Sequence, residues 1–361
     1  MVKVMYPIEC CVDLAAENQR WHDDLAHDPP YAQSVFEIAR VHFDIVRSRD
    51  QQLQKLVHMS NSLGPLRKQL ASSDVVVTDS MVFVVVALAL VSEAFDELDD
   101  ALMHLRGLHT MIKLRGGLAA LAHKRSLQIK CCRVDLALTM RTGEKPLLFS
   151  VDSLMWKPYL ADTAKTPMVP WHTLVDNPDI RLVNVWLDLR DFIISVNLAH
   201  QTKRKISPVL FQEVLISVQY RLHNLAYSSH DRQETLRLAM VALSASLFLG
   251  VHSLHSRPMH CKRLEGALGA SLRAFDETGG KAYLELNLWL IFLGKMSGLD
   301  LPEDRPCLEQ NLLKTTRALR LTTWVEVRLV LKGFLWVDIF HDDAGERIFI
   351  SAKSAEITSP G

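Results

Sequence analysis

The sequence predicts an all-α protein, a large multi-helix domain carrying one long proline-rich connection. Three observations predict it. Apolar residues recur at steps of three and four along most of the chain. The valine-rich stretch 75–86 lacks the polar alternation of a half-buried strand and runs on into Ala87-Leu88-Ala89-Leu90, which favours a fully buried helix. Pro146, Pro158, Pro167, Pro170 and Pro178 crowd one stretch, through which regular helices cannot run.

The elements follow in order. An N-terminal segment, 1–30, ends at Asp28-Pro29-Pro30, which reads as an extended lead-in. Residues 32–59 place Val35, Ile38, Phe43, Val46, Leu53 and Val57 at helical steps, and Gly64-Pro65 breaks the pattern. The acidic group Asp96, Glu97, Asp99 and Asp100 precedes the next helix, where negative charge complements the N-terminal dipole. Leu102, Leu105, Leu108 and Ile112 then line one face, and a further helix runs from Leu127 to Thr142-Gly143. These segments make a first helical part, 31–142. The connection, 143–180, carries Trp156 and Trp171, which suit anchors against a core better than a free linker.

Helical patterns resume over 182–200, 209–227, 234–254, 264–275, 283–293 and 312–340, the last broken into two helices around Leu321-Thr322-Thr323. This second helical part, 181–345, is expected to close in an Asp342-Asp343-Ala344-Gly345 turn, with 346–361 as a polar tail. No fixed-period repeat is visible, so the whole of 1–361 reads as a single domain rather than a solenoid.

Composition narrows the function classes. Hydrophobic residues make up 48% of the 361 and charged residues 23%, the balance of a folded protein with a large core rather than a disordered activator. Lys+Arg and Asp+Glu both count 41, so no global attraction to nucleic acid or an anionic membrane is implied. The six cysteines include the adjacent pairs Cys10-Cys11 and Cys131-Cys132 and no C-x2-C spacing, which favours reduced thiols in an intracellular protein. The first residues lack the apolar core of a signal peptide. The apolar run Met81–Val91 is well short of the roughly 20 residues a spanning helix needs. That of 238–251 is interrupted by Ser244 and Ser246, so no membrane span is expected.

Few constellations invite chemistry. His252, His255, His260 and Cys261 lie close enough in sequence to be zinc-ligand candidates, but their spacing is poor for a helix face and Pro258 makes the segment a loop. A polar connection explains them better. Asp96-Glu97-Leu98-Asp99-Asp100 resembles the acid-rich metal site of helical terpene cyclases, although a second metal-binding motif is missing. It keeps open an alternative reading, an all-α enzyme or small-molecule carrier with a cavity between helices. Phosphate-loop, dinucleotide, nucleophile-elbow and zinc-protease signatures are absent, so the main reading is not enzymatic and implies no cofactor. Gly279-Gly280-Lys281 reads as a turn, and Lys203-Arg204-Lys205 is too short to be a nuclear signal by itself.

The least ordinary stretch is "HLRGLHTMIKLRGGLAAL", residues 104–121, where a helical rhythm meets Arg115-Gly116-Gly117. A single RGG with apolar flanks is unlike the repeated RGG of disordered RNA-binding segments. A helix end near Leu114 or Arg115 fits better, with Gly116 or Gly117 in a left-handed conformation and Leu118 and Leu121 opening the next packed segment. Arg115 could then cap open carbonyls or pair with an acid such as Asp135.

With the following "LQIKCCRVDLALTMRTGEKP", this stretch resembles the fungal-specific transcription factor domain, the helical regulatory region found C-terminal to a zinc binuclear cluster in many fungal regulators. The pattern falls on His104, Gly107-Leu108, Met111-Ile112, Leu114 to Leu118, Asp135, Ala137, Gly143 and Pro146. "SVQYRLHNL" (217–225), "ETLRLAMVAL" (234–243), "LWLIFLGK" (288–295) and "GFLWVDIFHDD" (333–343) resemble its later segments, so the likeness extends over nearly the whole chain.

The resemblance implies a transcriptional regulator in the nucleus, or shuttling to it, that controls a metabolic or secondary-metabolite gene cluster. It implies as partners the transcription machinery or a DNA-binding regulator, and it leaves room for a small-molecule effector and for a homo-oligomer. The zinc cluster itself has no counterpart in these residues, because six cysteines in two C-x2-C-containing halves are required and none is so arranged. Direct DNA binding is therefore not expected of this chain.

Overall fold

The computed structural model describes residues 76–160, 169–248, 280–296 and 305–358, with isolated helical positions at 32, 36, 262, 263, 266, 267 and 269. Apart from those positions, the helices expected over 32–59 and 264–275 lie outside the described residues, as do His252, His255, His260 and Cys261. Among the described residues the chain forms ten α-helices and no strand, the all-α class that the sequence predicts. None of these helices is long and apolar enough to cross a membrane. The described residues divide at Ser150 into two compact units.

The first unit is built on α1 (Asp79–Ala94), α2 (Leu98–Leu114) and α3 (Arg125–Thr142), with a 3-10 stretch over Leu118–Lys124. Valine-rich α1 is a helix despite its β-branched residues, because Val82, Val85, Val86 and Ala89 are all buried. Burial around most of the helix outweighs the few tenths of a kcal/mol each valine loses in helix propensity. Thr78 starts the helix by accepting the Met81 amide on its hydroxyl at 3.2 Å. Helix α2 is two-faced: Leu105, Leu108 and Ile112 enter the core while Met103 and Leu114 face outward. Leu127, Cys131, Val134 and Leu138 of α3 complete that core.

The second unit contains α4 (Ile180–Thr202), α5 (Pro208–Asn224), α6 (Arg232–Phe248), α7 (Lys281–Met296), α8 (Arg305–Ala318), α9 (Trp324–Leu331) and α10 (Asp338–Thr358). Its core is aromatic. Trp186 lies edge-on to Trp171 at 5.7 Å and to Trp289 at 5.5 Å, and Trp289 stacks on Phe334 at 5.7 Å. The tryptophan anchors expected in the connection divide in role. Trp171 is fully buried, whereas half-buried Trp156 lies under the Arg181 guanidinium and accepts from Asn184 on its carbonyl.

A buried carboxylate fixes the same connection. Asp188 of α4 accepts the consecutive amides of Tyr159 and Leu160, each at 2.7 Å on Oδ1, and receives Arg221 of α5 at 2.6 Å on Oδ2. Both side chains of the ion pair are essentially inaccessible. The charge pairing, together with the Arg221 Nε–H bond to the Ser217 carbonyl at 3.2 Å, is what offsets the burial of two charges and two backbone donors inside the unit.

The expected break near Leu321-Thr322-Thr323 is present, and Thr323 opens α9 with a capping box closed by Glu326. The exposed Glu326 carboxyl falls to about 2 because the Thr322 and Thr323 amides and hydroxyls hold its charged form. The turn expected at Asp342-Asp343-Ala344-Gly345 is overturned. α10 runs through those residues and on to Thr358, so the polar tail is largely helical too. The residue types misled for a packing reason. Asp342 accepts from Arg328 at 2.8–2.9 Å and from the Trp336 indole at 2.9 Å instead of from its own backbone. Gly345 lets the helix approach the aromatic core, since a Cβ there would lie 2.5 Å from Trp324.

Candidate functional site

The glycine pair ends α2 with a Schellman motif. The Gly116 amide donates to the Lys113 carbonyl at 3.1 Å and the Gly117 amide to that of Ile112 at 2.9 Å. Both glycines have positive φ, 94° and 100°, so neither takes the left-handed role alone. Gly117 also has ψ 178°, a region essentially restricted to glycine. A Cβ at either position would meet nothing within 4 Å, so the requirement is purely one of backbone conformation. Gly116→Asn is therefore expected to cost less than 1 kcal/mol and Gly117→Asn about 1–3 kcal/mol, as read by urea unfolding. Equal tolerance at both positions would contradict this geometry.

Arg115 does not pair with Asp135. Its guanidinium donates to Asp79 at the start of α1, at 2.6 Å, and His123 approaches the other oxygen of that carboxylate at 2.9 Å. Burial raises the Asp79 carboxyl, but the Arg115 and His123 contacts outweigh it and hold the group below the usual carboxylate range. The arginine thus ties the end of α2 to the beginning of α1.

Asp135 has a different task. Fully buried on α3, it accepts the amides of Leu147 and Leu148, both at 2.9 Å. The chain can turn back to reach it because Gly143 ends α3 in the left-handed conformation, φ 73°, and Pro146 is buried in the returning segment. Asp135, Gly143 and Pro146 therefore form one clasp. Of the other motif residues, His104 and Leu108 are buried on α2, Gly107 and Leu114 are exposed, and Leu118 is half-buried.

The acidic group separates. Asp96 sits at φ 63° in a second Schellman ending, that of α1, and its carboxylate pairs with Arg141, which also reaches Glu93 at 3.3 Å. Only Asp99 and Asp100 occupy the first turn of α2, as the dipole argument expects. Among the described residues no group of three or more His, Cys, Asp and Glu side chains is placed to hold a metal ion.

The second unit contains a cavity of about 660 Å³ that sequence reasoning missed. The acidic group takes no part among its described lining residues. Leu293, Met296, Phe340 and Ile348 supply apolar wall, and Lys295, Glu309, His341 and Arg347 supply polar groups. Lys295 and Glu309 are 3.7 Å apart, and only 7% of the lysine side chain is exposed. His341 accepts the Val337 amide on Nδ1 at 3.0 Å and packs against the Trp336 ring at 4.8 Å. Burial lowers its imidazole to about 4, against the opposing pull of the Asp342 and Asp338 carboxylates.

That shift has a stability consequence. The fold favours neutral His341, so the unfolded chain takes up this proton first as pH falls below about 6.5. The contribution is complete above that pH and is lost on acidification through about 4, a loss of about 3 kcal/mol. Urea unfolding of the second unit should therefore weaken between neutral and mildly acid pH, and His341→Phe should flatten the slope in that window. An unchanged slope in the variant would contradict the assignment.

The cavity draws on α6, α7, α8 and α10, with Ser246 and Ser351 at the sequence extremes of its described lining. Such separation leaves no spacing signal in sequence; the only hint is a histidine placed within the aromatic run "GFLWVDIFHDD". Compared with known proteins, the chain matches no family model, no curated protein and no solved structure.

Proposed function

We propose that the chain is the regulatory body of a fungal transcriptional regulator, acting in the nucleus on a metabolic or secondary-metabolite gene cluster. It works through protein partners, the transcription machinery or a DNA-binding regulator, and not through DNA contacts of its own. The observation that carries this reading is the ordered motif from His104 to Pro146, whose parts have coherent physical roles: two positive-φ glycines at one helix end and the Asp135 clasp behind the next helix. The later motifs follow in order on α5, α6, α7 and the α9–α10 region.

The cavity favours a second reading, a small-molecule carrier, more than it favours the terpene-cyclase alternative, whose acidic residues are partly engaged elsewhere. Deleting the gene in its fungal host and measuring transcripts separates the classes. The regulatory reading expects a restricted, co-located gene set to change. An unchanged transcript profile, or magnesium-dependent turnover of a prenyl diphosphate that is lost on combining Asp99→Asn with Asp100→Asn, would overturn it.

A further inference from the structure

We propose that the cavity between α6, α7, α8 and α10 binds a largely apolar small molecule through one carbonyl oxygen, which accepts a hydrogen bond from Nε2 of His341. The volume of about 660 Å³ falls within the range of small-molecule sites, roughly 300–1,000 Å³. Leu293, Met296, Phe340 and Ile348 give it hydrocarbon wall. The polar specification comes from His341, which lines the cavity although only 6% of the residue is exposed. Its Nδ1 accepts the Val337 amide at 3.0 Å, so the one proton of the neutral ring sits on Nε2. That second nitrogen has no partner among the described residues, and a buried donor without an acceptor is costly. A ligand that brings the acceptor into the cavity removes that cost.

The donor is preorganised. The Val337 amide holds one nitrogen, the Trp336 ring packs against the imidazole at 4.8 Å, and the Phe340 ring lies 6.5 Å away. Two carboxylates lie near enough to act on the ring, but both are engaged elsewhere. Asp342 accepts from Arg328 and the Trp336 indole, and Asp338 pairs with Lys332 and Arg328. Burial keeps the imidazole neutral down to about 4, so the donor carries no charge near neutral pH. Such a donor matches the oxygen of a ketone, ester or lactone, which gains a hydrogen bond while neither group buries a charge. A carboxylate would surrender its hydration for a neutral donor. A hydrocarbon of the same shape would leave the donor unsatisfied.

As an effector site, the cavity deepens the regulatory reading and rests on it; as a binding site, it is tested without it. The purified full chain is titrated calorimetrically with benzophenone, diphenylmethane and diphenylacetate, which share a pair of phenyl rings and differ in acceptor and charge. Benzophenone should bind once per chain and about fivefold tighter than diphenylmethane, the scale of one neutral hydrogen bond. Diphenylacetate should bind more weakly than benzophenone. In protein carrying isotope-labelled histidine, the proton on His341 Nε2 should move downfield in nuclear magnetic resonance when benzophenone is added and stay in place with diphenylmethane. His341→Phe should lower benzophenone to the affinity of diphenylmethane, and the resonance measurement on the wild type decides the matter should that variant not fold. Ala344→Phe, at a half-buried position of the lining, should abolish binding of both, with helicity confirmed by circular dichroism. No binding of any probe, benzophenone no tighter than either analogue, an unmoved His341 proton, or benzophenone binding that survives Ala344→Phe would each overturn the proposal. Benzophenone binding alongside an unchanged transcript profile in the deletion strain would preserve this site and remove the regulatory reading alone.

Discussion

Asp188→Ala is expected to destabilise the second unit by about 3–5 kcal/mol, the largest effect of any one substitution considered. The alanine leaves Arg221 charged and buried, and it strips the Tyr159 and Leu160 amides of their acceptor. For a unit of this size the loss corresponds to roughly 10 °C in melting temperature. Asp188→Asn should cost less, because an amide oxygen still serves one of the two donors although the charge pairing is gone. Urea unfolding followed by tryptophan fluorescence suits the measurement, since Trp171, Trp186 and Trp289 lie in the same core. An Asp188→Ala protein as stable as the wild type would show that the ion pair and the connection it pins contribute nothing net.

Asp135→Ala should destabilise the first unit by about 2–4 kcal/mol, from loss of the acceptor for two amides. The effect is smaller than at Asp188 for an identifiable reason. Leu147 is exposed and Leu148 half-buried, so water can partly replace the lost acceptor. Hydrogen exchange at the Leu147 and Leu148 amides provides a local readout. Both amides should exchange faster in the variant, and unchanged protection would mean that the clasp is held by something other than this carboxylate.

These two aspartates show what the sequence reveals and what it conceals. Helices α1 to α3 and the break before α9 were legible, because apolar spacing and glycine or threonine at the ends report local energetics. The valine-rich α1 was legible once its lack of alternation was weighed against β propensity. The left-handed residues at three helix endings were not. Asp96, Lys203 and Arg320 adopt positive φ at 63°, 54° and 57° where glycine is the usual signal, and their amide patterns match the ending at Gly116. Gly345 misled in the opposite direction, resembling a turn while serving close packing within a helix.

The site residues divide along the same line. The Arg115-Gly116-Gly117 junction is local and could be foreseen as a helix end, but the partner of Arg115 could not. Asp79 lies 36 residues away, and only tertiary structure selects it over Asp135. The cavity is the extreme case. Its polar groups come from different helices, and the tautomer of His341 depends on a hydrogen bond that no spacing rule encodes.

The central claim, a regulatory body acting through partners, is tested most directly by tethering. The full chain, fused to a heterologous DNA-binding domain, is placed upstream of a reporter in a fungal host and compared with the same fusion carrying Asp188→Ala, at matched protein levels. The account predicts a severalfold change in reporter output from the wild-type chain and loss of that change in the variant. Reporter output indistinguishable from the DNA-binding domain alone, with the wild-type chain folded and nuclear, would contradict it.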